Sequence, residues 1–409
     1  MPFATREPPA HIDPKSSRKQ RFTTLGDKLA VAEGRPSGFD LIRLVLSIAV
    51  VCQHSMNVTL GLSGTLELLA GPLRAPVALI LAMFFGLSGF LVTGSVVRSR
   101  SLISFLGLRV LRLGPALIVE VVLASLILGP LLTSFPMSQY FADPKFLHYF
   151  SNIIGDIQYK LPGVFLDNPL PETVNQQLWT IPFELKCYIA LALLATFGIA
   201  FSRSAFALML AAVQLAAVYY LFAHHPEHQS TLRGNLLVVC FLFGVGLYLW
   251  RDVIPYNLPF AMISAALCIC LLLSRGGDFL VAAPAVYLTC YLGLANPRKL
   301  PILSSGDHSY GIFLYGFPIQ QTVVALVPSS RLWWCNILIC VPVSIAFAFA
   351  SWHLVEKRAQ QLRPYLIKVE AAILARVPAI KLQPSGILLK SKRAISILIG
   401  RGGMKGGRR

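Results

Sequence analysis

An apolar stretch near the N-terminus reads 39-FDLIRLVLSIAVVCQHSMNVTLGL-62 and contains one arginine and one histidine, Arg43 and His54. It is long enough to cross a bilayer as a helix, which takes about 20 predominantly apolar residues. An arginine in the centre of a span costs roughly 3 kcal/mol on insertion scales, so it tends to persist only where it functions or is paired. The stretch therefore predicts both a membrane helix and a functional role for its polar side chains.

The spacing of Arg43 and His54 adds to this prediction. Eleven steps of a helix turn through about 1100°, three turns plus about 20°, so both side chains should lie on one face, about 16 Å apart along the axis. The alternative is an arginine that extends to the membrane surface from a helix end and a histidine that is hydrogen-bonded inside a bundle.

The composition extends the membrane prediction to most of the chain. Of 409 residues, 55% are hydrophobic and only 13% are charged, about half the charged fraction of a soluble domain. We therefore predict an all-α, polytopic membrane helix bundle of about ten transmembrane helices, with both termini in the cytoplasm. The expected spans are 39–61, 74–97, 113–135, 178–200, 204–222, 234–250, 255–274, 278–295, 310–328 and 332–354.

The net charge of +18 follows this topology. With the N-terminus inside, the predicted cytoplasmic segments hold 28 lysines and arginines and the opposite segments hold six, which is the positive-inside pattern. The basic charge thus indicates contact with anionic membrane lipid and no nucleic-acid partner.

The predicted topology divides the chain into three regions. Residues 1–38 are expected to form a disordered basic cytoplasmic arm, 39–356 the membrane domain with an outer loop at 136–177, and 357–409 a basic cytoplasmic tail. No signal peptide is expected before the first span. Within the tail, 365-YLIKVEAAILARV-377 is predicted either to lie on the inner leaflet or to be disordered.

No metal is expected. The loop 224-HHPEH-228 offers three imidazoles and a carboxylate, but a solvated loop is the favoured interpretation because no second group of ligands supports a metal site. All eight cysteines fall within or next to apolar segments and are interpreted as small buried hydrophobes.

Two further segments suggest a ligand site. In 83-MFFGLSGFLVTGS-95, glycines beside Ser88 would let a helix or a ligand approach the backbone, and helix packing alone would explain them. In 98-RSRSLISFLGLRVLRLGP-115, four arginines include Arg109 and Arg112 with no acidic residue. They are either ordinary membrane-surface anchors or ligands for a phosphate-bearing molecule, which arginine binds with two hydrogen bonds.

A carboxylate enters the predicted fourth span in 175-NQQLWTIPFELKCY-188. Glu184 there is either an ion-pair partner, with Lys186 as its neighbour, or a residue that orients a catalytic group. Glu120 in the third span is similarly unusual, and no role follows for it from the sequence.

These features, in this order, resemble the acyltransferase 3 family, the integral-membrane acyltransferases that mostly O-acetylate bacterial surface polysaccharides and related glycans. The matching features span residues 39–358. They are Arg43 and His54, the FFGLSGFL segment, Arg109 and Arg112 before Leu-Gly-Pro, Leu178-Trp179-Thr180 with Glu184, Ser309-Tyr310-Gly311-Ile312, and Glu356. The chain departs from the family at Leu108, where a basic residue is expected, and at Gly316, where a histidine is common.

The resemblance implies acetyl-CoA, or another acyl-CoA, as the donor and a hydroxyl of a surface polysaccharide, exopolysaccharide or lipid-linked glycan as the acceptor. It implies that His54 is the general base and that Arg43 is a cation that positions the donor. Glu184 is expected to assist at the catalytic site. Arg109, Arg112 and Ser88 are expected at the donor site.

The same resemblance implies a multi-pass protein of the bacterial inner membrane. Since no second soluble domain is expected, it would complete the transfer alone or hand over to a glycan-assembly protein.

A secondary transporter or flippase that uses Arg43, His54 and Glu184 as an ion relay is the main alternative, and a non-catalytic membrane scaffold is a weaker one. The ordered set of motifs favours the enzyme.

Overall fold

Helices, joined by turns and loops, make up the part of the chain that the computed structural model describes, residues 22–34, 36–99, 101–225, 229, 231–297 and 305–376. These residues contain no β-strand, and their only extended pairings are two isolated bridges, Thr24 with Pro255 and Thr133 with Val164. The predicted all-α class is confirmed.

The α-helices follow one another along the chain as α1 (Leu25–Val31), α2 (Ser37–Leu68), α3 (Arg74–Arg98), α4 (Leu102–Leu123), α5 (Gly129–Leu132), α6 (Met137–Ala142), α7 (Pro144–His148), α8 (Ile181–Thr196), α9 (Arg203–His224), α10 (Gly234–Leu249), α11 (Leu258–Leu273), α12 (Ala282–Gly293), α13 (Ser309–Leu326), α14 (Trp333–Ser351), α15 (Lys357–Gln360) and α16 (Arg363–Arg376). Two π-helical turns, Ala124–Leu128 and Trp352–Glu356, join α4 to α5 and α14 to α15. Short 3₁₀ helices lie at Tyr149–Ile154, Gln176–Thr180, Ile199–Phe201, Gly277–Phe279 and Pro328–Arg331.

Six helical segments of the described chain are long and apolar enough to cross a membrane: Ser37–Leu68, Arg74–Arg98, Leu102–Leu132, Gln176–Thr196, Arg203–His224 and Trp333–Ile373. Helices α10, α11 and α12 are apolar but shorter. The apolar run 278–295, for example, follows a turn at Gly276, whose φ is +80°, and begins within the 3₁₀ helix Gly277–Phe279, so only part of it is α-helical. Each predicted span overlaps a helix, whereas the count of ten and the cytoplasmic termini remain predictions.

The glycines of the FFGLSGFL segment serve helix packing. A Cβ atom on Gly89 would lie 2.0 Å from the carbonyl oxygen of Phe241, and one on Gly244 would lie 2.2 Å from that of Gly86. Helices α3 and α10 are therefore in backbone contact, which explains the glycines without a ligand.

The arginine segment 98–112 is largely helix. Ser101 accepts a hydrogen bond from the backbone N–H of Ser104 and so caps α4, which begins at Leu102. Arg109 and Arg112 are three residues apart on this helix, so they project from neighbouring positions of one face.

A kink in α2 fits the outer loop against the bundle. Gly61 has φ +68° and ψ −175°, a conformation that essentially only glycine adopts, and a Cβ there would lie 2.6 Å from the carbonyl oxygen of Pro169. The loop is further held to α13 by the Gln321 amide, which donates to the carbonyl oxygens of Leu170 and Thr173 (both 2.8 Å). These contacts hold the outer loop against the part of α2 that contains the kink at Gly61.

Both predicted terminal segments contain helix where they are described. Residues 25–31, inside the segment expected to be a disordered arm, form α1, because Thr24 and Asp27 make a capping box and Leu25 is fully buried. The segment 365–377 is α-helical as far as residue 376. Residues 1–21 and 377–409 lie outside the described residues, and what the sequence predicts for them remains a prediction.

Candidate active site

Three adjoining cavities run through the bundle from the end where α2 begins and α3 ends, here called the basic end. The wide cavity, about 760 Å³, lies at this end and is lined by Asp40, Arg43, Arg98, Arg109, Arg112, Arg363 and Glu370 among others. The middle cavity, about 140 Å³, shares Arg43, Arg109 and Arg112 with it. The histidine cavity, about 120 Å³, contains His54 and shares Thr180 and Phe313 with the middle one.

A carboxylate that the sequence analysis did not identify lies between two of the predicted arginines. Oδ2 of Asp307 is 2.6 Å from a guanidinium nitrogen of Arg43 and also pairs with Arg112. Its Oδ1 accepts a hydrogen bond from the hydroxyl of Ser309 (2.6 Å). Burial alone would raise the pKa of the Asp307 carboxyl, but the charges of Arg112 and Arg43 outweigh it and hold this pKa below its usual range. The aspartate therefore stays ionised and fixes both cations.

Arg109 differs from these two arginines because it makes no ion pair with a described residue. Its closest polar contact is a long one, 3.5 Å to the hydroxyl of Ser95, and its guanidinium lies 5.9 Å from the ring centre of Tyr188. Its Nε is buried and has no hydrogen-bond partner in the described part of the chain. Arg109 thus presents unsatisfied donors where the wide and middle cavities meet.

Glu184 lines the middle cavity together with Ser88. The hydroxyl of Tyr188, one helical turn later, donates a hydrogen bond to Glu184. Lys186 lies over the ring of Phe183 (4.7 Å), so the neighbouring lysine is not the partner of Glu184. Glu184 and His54, both expected at the catalytic site, make no hydrogen bond with each other in the described structure.

The His54 side chain is buried, with 6% of its surface exposed, and lines the histidine cavity. Its ring meets the ring of Phe317 edge to face, at 5.2 Å between centroids, and makes no hydrogen bond to any described residue. Asn57, Gln176 and Thr180 line the same cavity. An imidazole with free ring nitrogens in a small polar-lined space is able to accept a proton from a bound hydroxyl.

Two other acidic groups, Glu120 and Glu356, are buried in the bundle. Glu120 accepts a hydrogen bond from the Asn175 amide (2.9 Å), and Glu356 accepts one from the Ser351 hydroxyl (3.1 Å). The second oxygen of each carboxyl group is buried without a partner among the described residues. Neither glutamate lines the three cavities.

The late motif contributes Ser309 and Tyr310 to the middle cavity, and the Tyr310 hydroxyl donates to the carbonyl oxygen of Leu113 (3.0 Å). Gly316, where the family often has histidine, has no room for a side chain, because a Cβ would lie 2.8 Å from a methyl group of Val51. Leu108, the other departure, lines the wide cavity.

The described residues contain no group of three or more His, Cys, Asp or Glu side chains that would hold a metal ion. Part of the loop 224-HHPEH-228 lies outside them.

The acyltransferase 3 family model, an acyltransferase domain, matches residues 37–353, which include every helix around the middle and histidine cavities. The chain belongs to the acyltransferase 3 family. Together with the apolar helices, membership makes it an integral-membrane O-acyltransferase, and this decides against the transporter and scaffold alternatives.

Two proteins are similar to this acyltransferase over most of their length. An O-acetyl transferase of Shigella phage Sf6 is 25% identical over 330 residues, which cover 78% of this chain and 95% of the phage protein. Nodulation protein 10 of Rhizobium leguminosarum bv. viciae is 29% identical over 369 residues, 82% of this chain and 96% of that protein. No solved structure matches the chain significantly.

Proposed function

We propose that this acyltransferase moves an acetyl group from acetyl-CoA to a hydroxyl of a carbohydrate in the bacterial inner membrane. The observation that carries the proposal is the series of cavities, which begins among arginines at the basic end and reaches His54, a buried histidine without a hydrogen bond to any described residue. The name of the phage relative supports acetyl as the group transferred.

The donor half of the proposal rests on charge. Coenzyme A is polyanionic at its nucleotide end and uncharged along the arm that carries the thioester. Arg43, Arg109 and Arg112 lie where the wide cavity narrows, and of these Arg109 has an Nε donor without a partner among the described residues. Phosphate groups bound there would leave the uncharged arm to extend through the middle cavity, whose wall is mostly leucine, phenylalanine and valine beyond the arginines, towards His54. His54 lies about 16 Å further along α2 at 1.5 Å per residue.

The chemical step then needs a base near the acceptor hydroxyl. His54 takes the hydroxyl proton while the oxygen attacks the thioester carbonyl carbon, so that a carbon–oxygen bond forms and the carbon–sulfur bond breaks. The departing thiolate recovers the proton from the imidazolium as free coenzyme A thiol. Asn57, Gln176 and Thr180 around the same cavity provide hydrogen-bond partners for the oxyanion and for the sugar hydroxyls.

The test uses the full chain purified in detergent, with acetyl-CoA and a bacterial glycan acceptor. We expect release of free thiol that depends on the acceptor. The double variant Arg109→Gln/Arg112→Gln should raise the donor KM far more than the acceptor KM, because each lost charge-assisted contact is worth about 1.5–3 kcal/mol. Arg358→Gln is the control, since Arg358 is exposed in α15 and lines none of the cavities.

Absence of thiol release with every acceptor and acyl-CoA tried would contradict the proposed donor. An unchanged donor KM in the double variant would mean that the two arginines only anchor α4 at the membrane surface.

A further inference from the structure

Helix α16 lies beyond the residues that the family model matches, yet it packs against the acyltransferase domain. The hydroxyl of Ser101 donates a hydrogen bond to Glu370, which is only 3% exposed. One turn earlier on α16, Leu366 packs against α4 at Gly107. A Cβ atom on Gly107 would lie 2.8 Å from the methyl groups of Leu366. These contacts hold α16 beside the start of α4, at the basic end.

In this position α16 forms one wall of the wide cavity, to which Arg363, Ile367 and Glu370 contribute. Arg98, at the end of α3, lines the same cavity. Arg363 and Arg98 make no ion pair with a described residue, in contrast to Arg43 and Arg112, which share Asp307.

The order of the cavities gives these two arginines a specific place relative to the donor. The inference rests on the proposed function, in which the thioester lies towards His54 and the pyrophosphate lies at the narrowing beside Arg109. The remaining part of coenzyme A, the nucleoside with its ribose 3′-phosphate, then occupies the wide cavity. Guanidinium groups in that cavity that make no ion pair with a described residue are suited to a phosphate dianion.

We propose that Arg363 of α16, with Arg98 of α3, binds the ribose 3′-phosphate of the donor, so that this helix outside the family domain determines specificity for the nucleotide. Lys368, on the same helix, provides a contrast, because its ammonium lies 5.8 Å from the ring centre of Tyr365 and it does not line the cavity.

The experiment compares acetyl-CoA with acetyl-3′-dephospho-CoA as donors for the full-length enzyme in uncharged detergent. We expect the parent to have the lower KM for acetyl-CoA. Arg363→Gln and Arg98→Gln should each reduce that preference about five- to tenfold, the effect of a partly solvated charge-assisted contact, with the KM for the dephospho donor unchanged. Arg363→Lys should keep part of the preference, since lysine still binds phosphate as a point charge. Lys368→Gln should behave as the parent.

Three results would overturn the proposal: a parent that does not distinguish the two donors, an Arg363→Gln variant that raises both KM values equally, or a donor preference that disappears when anionic lipid is added. The last result would assign the arginines to lipid headgroups, which offer the same phosphate chemistry.

Binding of coenzyme A and dephospho-coenzyme A, measured by calorimetry, separates this proposal from the proposed function. If the protein binds coenzyme A with a 3′-phosphate preference that Arg363→Gln removes, yet transfers no acetyl group, that result would support the proposed nucleotide site and contradict the proposed acetyl transfer. If it binds neither nucleotide, both fail.

Discussion

Asp307→Asn tests whether the arginine arrangement at the narrowing of the cavities matters for catalysis. The change keeps the size of the side chain and removes its charge. In the parent, one oxygen of Asp307 serves both Arg43 and Arg112, and the other accepts from Ser309. The variant leaves two guanidinium groups facing each other with only a neutral acceptor between them.

The magnitude follows from these contacts. Hydrogen bonds to charged groups contribute about 1.5–3 kcal/mol each when well formed. The three side chains are 19–22% exposed, so solvent screens part of this interaction. The neutral amide also retains part of each contact. We therefore expect a loss of about 2 kcal/mol in transition-state binding, which is roughly a 30-fold decrease in kcat/KM for the donor.

The assay is thiol release from acetyl-CoA by the purified variant, with thermal unfolding measured in parallel to confirm that the fold is kept. Asp252→Asn is a matched control, because it breaks the Arg203–Asp252 pair, whose side chains are 33% and 58% exposed, and such pairs contribute about 0–1 kcal/mol. In the double variant with Arg112→Gln the effects should be less than additive, because the two residues act as one unit. Parental kcat/KM in a folded Asp307→Asn protein would refute the reasoning.

Three further changes test other parts of the structure. His54→Ala should lower the rate of acetyl transfer about 100- to 10,000-fold, the usual effect of losing a general base. The variant should reach the membrane in normal amounts, because the ring it removes borders a cavity. Near-parental transfer would show that His54 is a structural histidine. Gly61→Ala should lower the free energy of unfolding by about 1–3 kcal/mol, because alanine is strained at that φ and ψ and its Cβ would contact Pro169. An unchanged unfolding temperature would show that the kink is not required. A reporter fused at residue 155 should be located outside the cytoplasm, as the charge distribution predicts, and cytoplasmic activity there would contradict the predicted topology.

The sequence predicts best what depends on local periodicity. Helical spacing places Arg43 and His54 along one side of α2, and both line the adjoining series of cavities. The bond between Tyr188 and Glu184 is of the same kind, since residues four apart on a helix are neighbours, and this signal was available in the sequence.

Asp307 was missed because its importance depends on tertiary packing. It is a single acid in the segment before α13, and nothing local indicates which cation it meets. Its two partners come from α2 and α4, 264 and 195 positions earlier in the chain. Its position two residues before Ser309 was the one available signal, because residues next to a matching motif are candidates for the same site.

The arrangement also bears on the ion relay considered for Arg43, His54 and Glu184. A relay requires groups that pass a proton or an ion through contacts with one another. Among the described residues, however, Arg43 pairs with Asp307, Glu184 accepts from Tyr188, and His54 is in contact with Phe317. Charged groups are costly inside a membrane. Of the residues that line the three cavities, the arginines lie towards the basic end, whereas the far end holds the imidazole of His54. Such a separation suits a donor that is anionic at one end and uncharged at the other, whereas it leaves an ion relay without a path between its members.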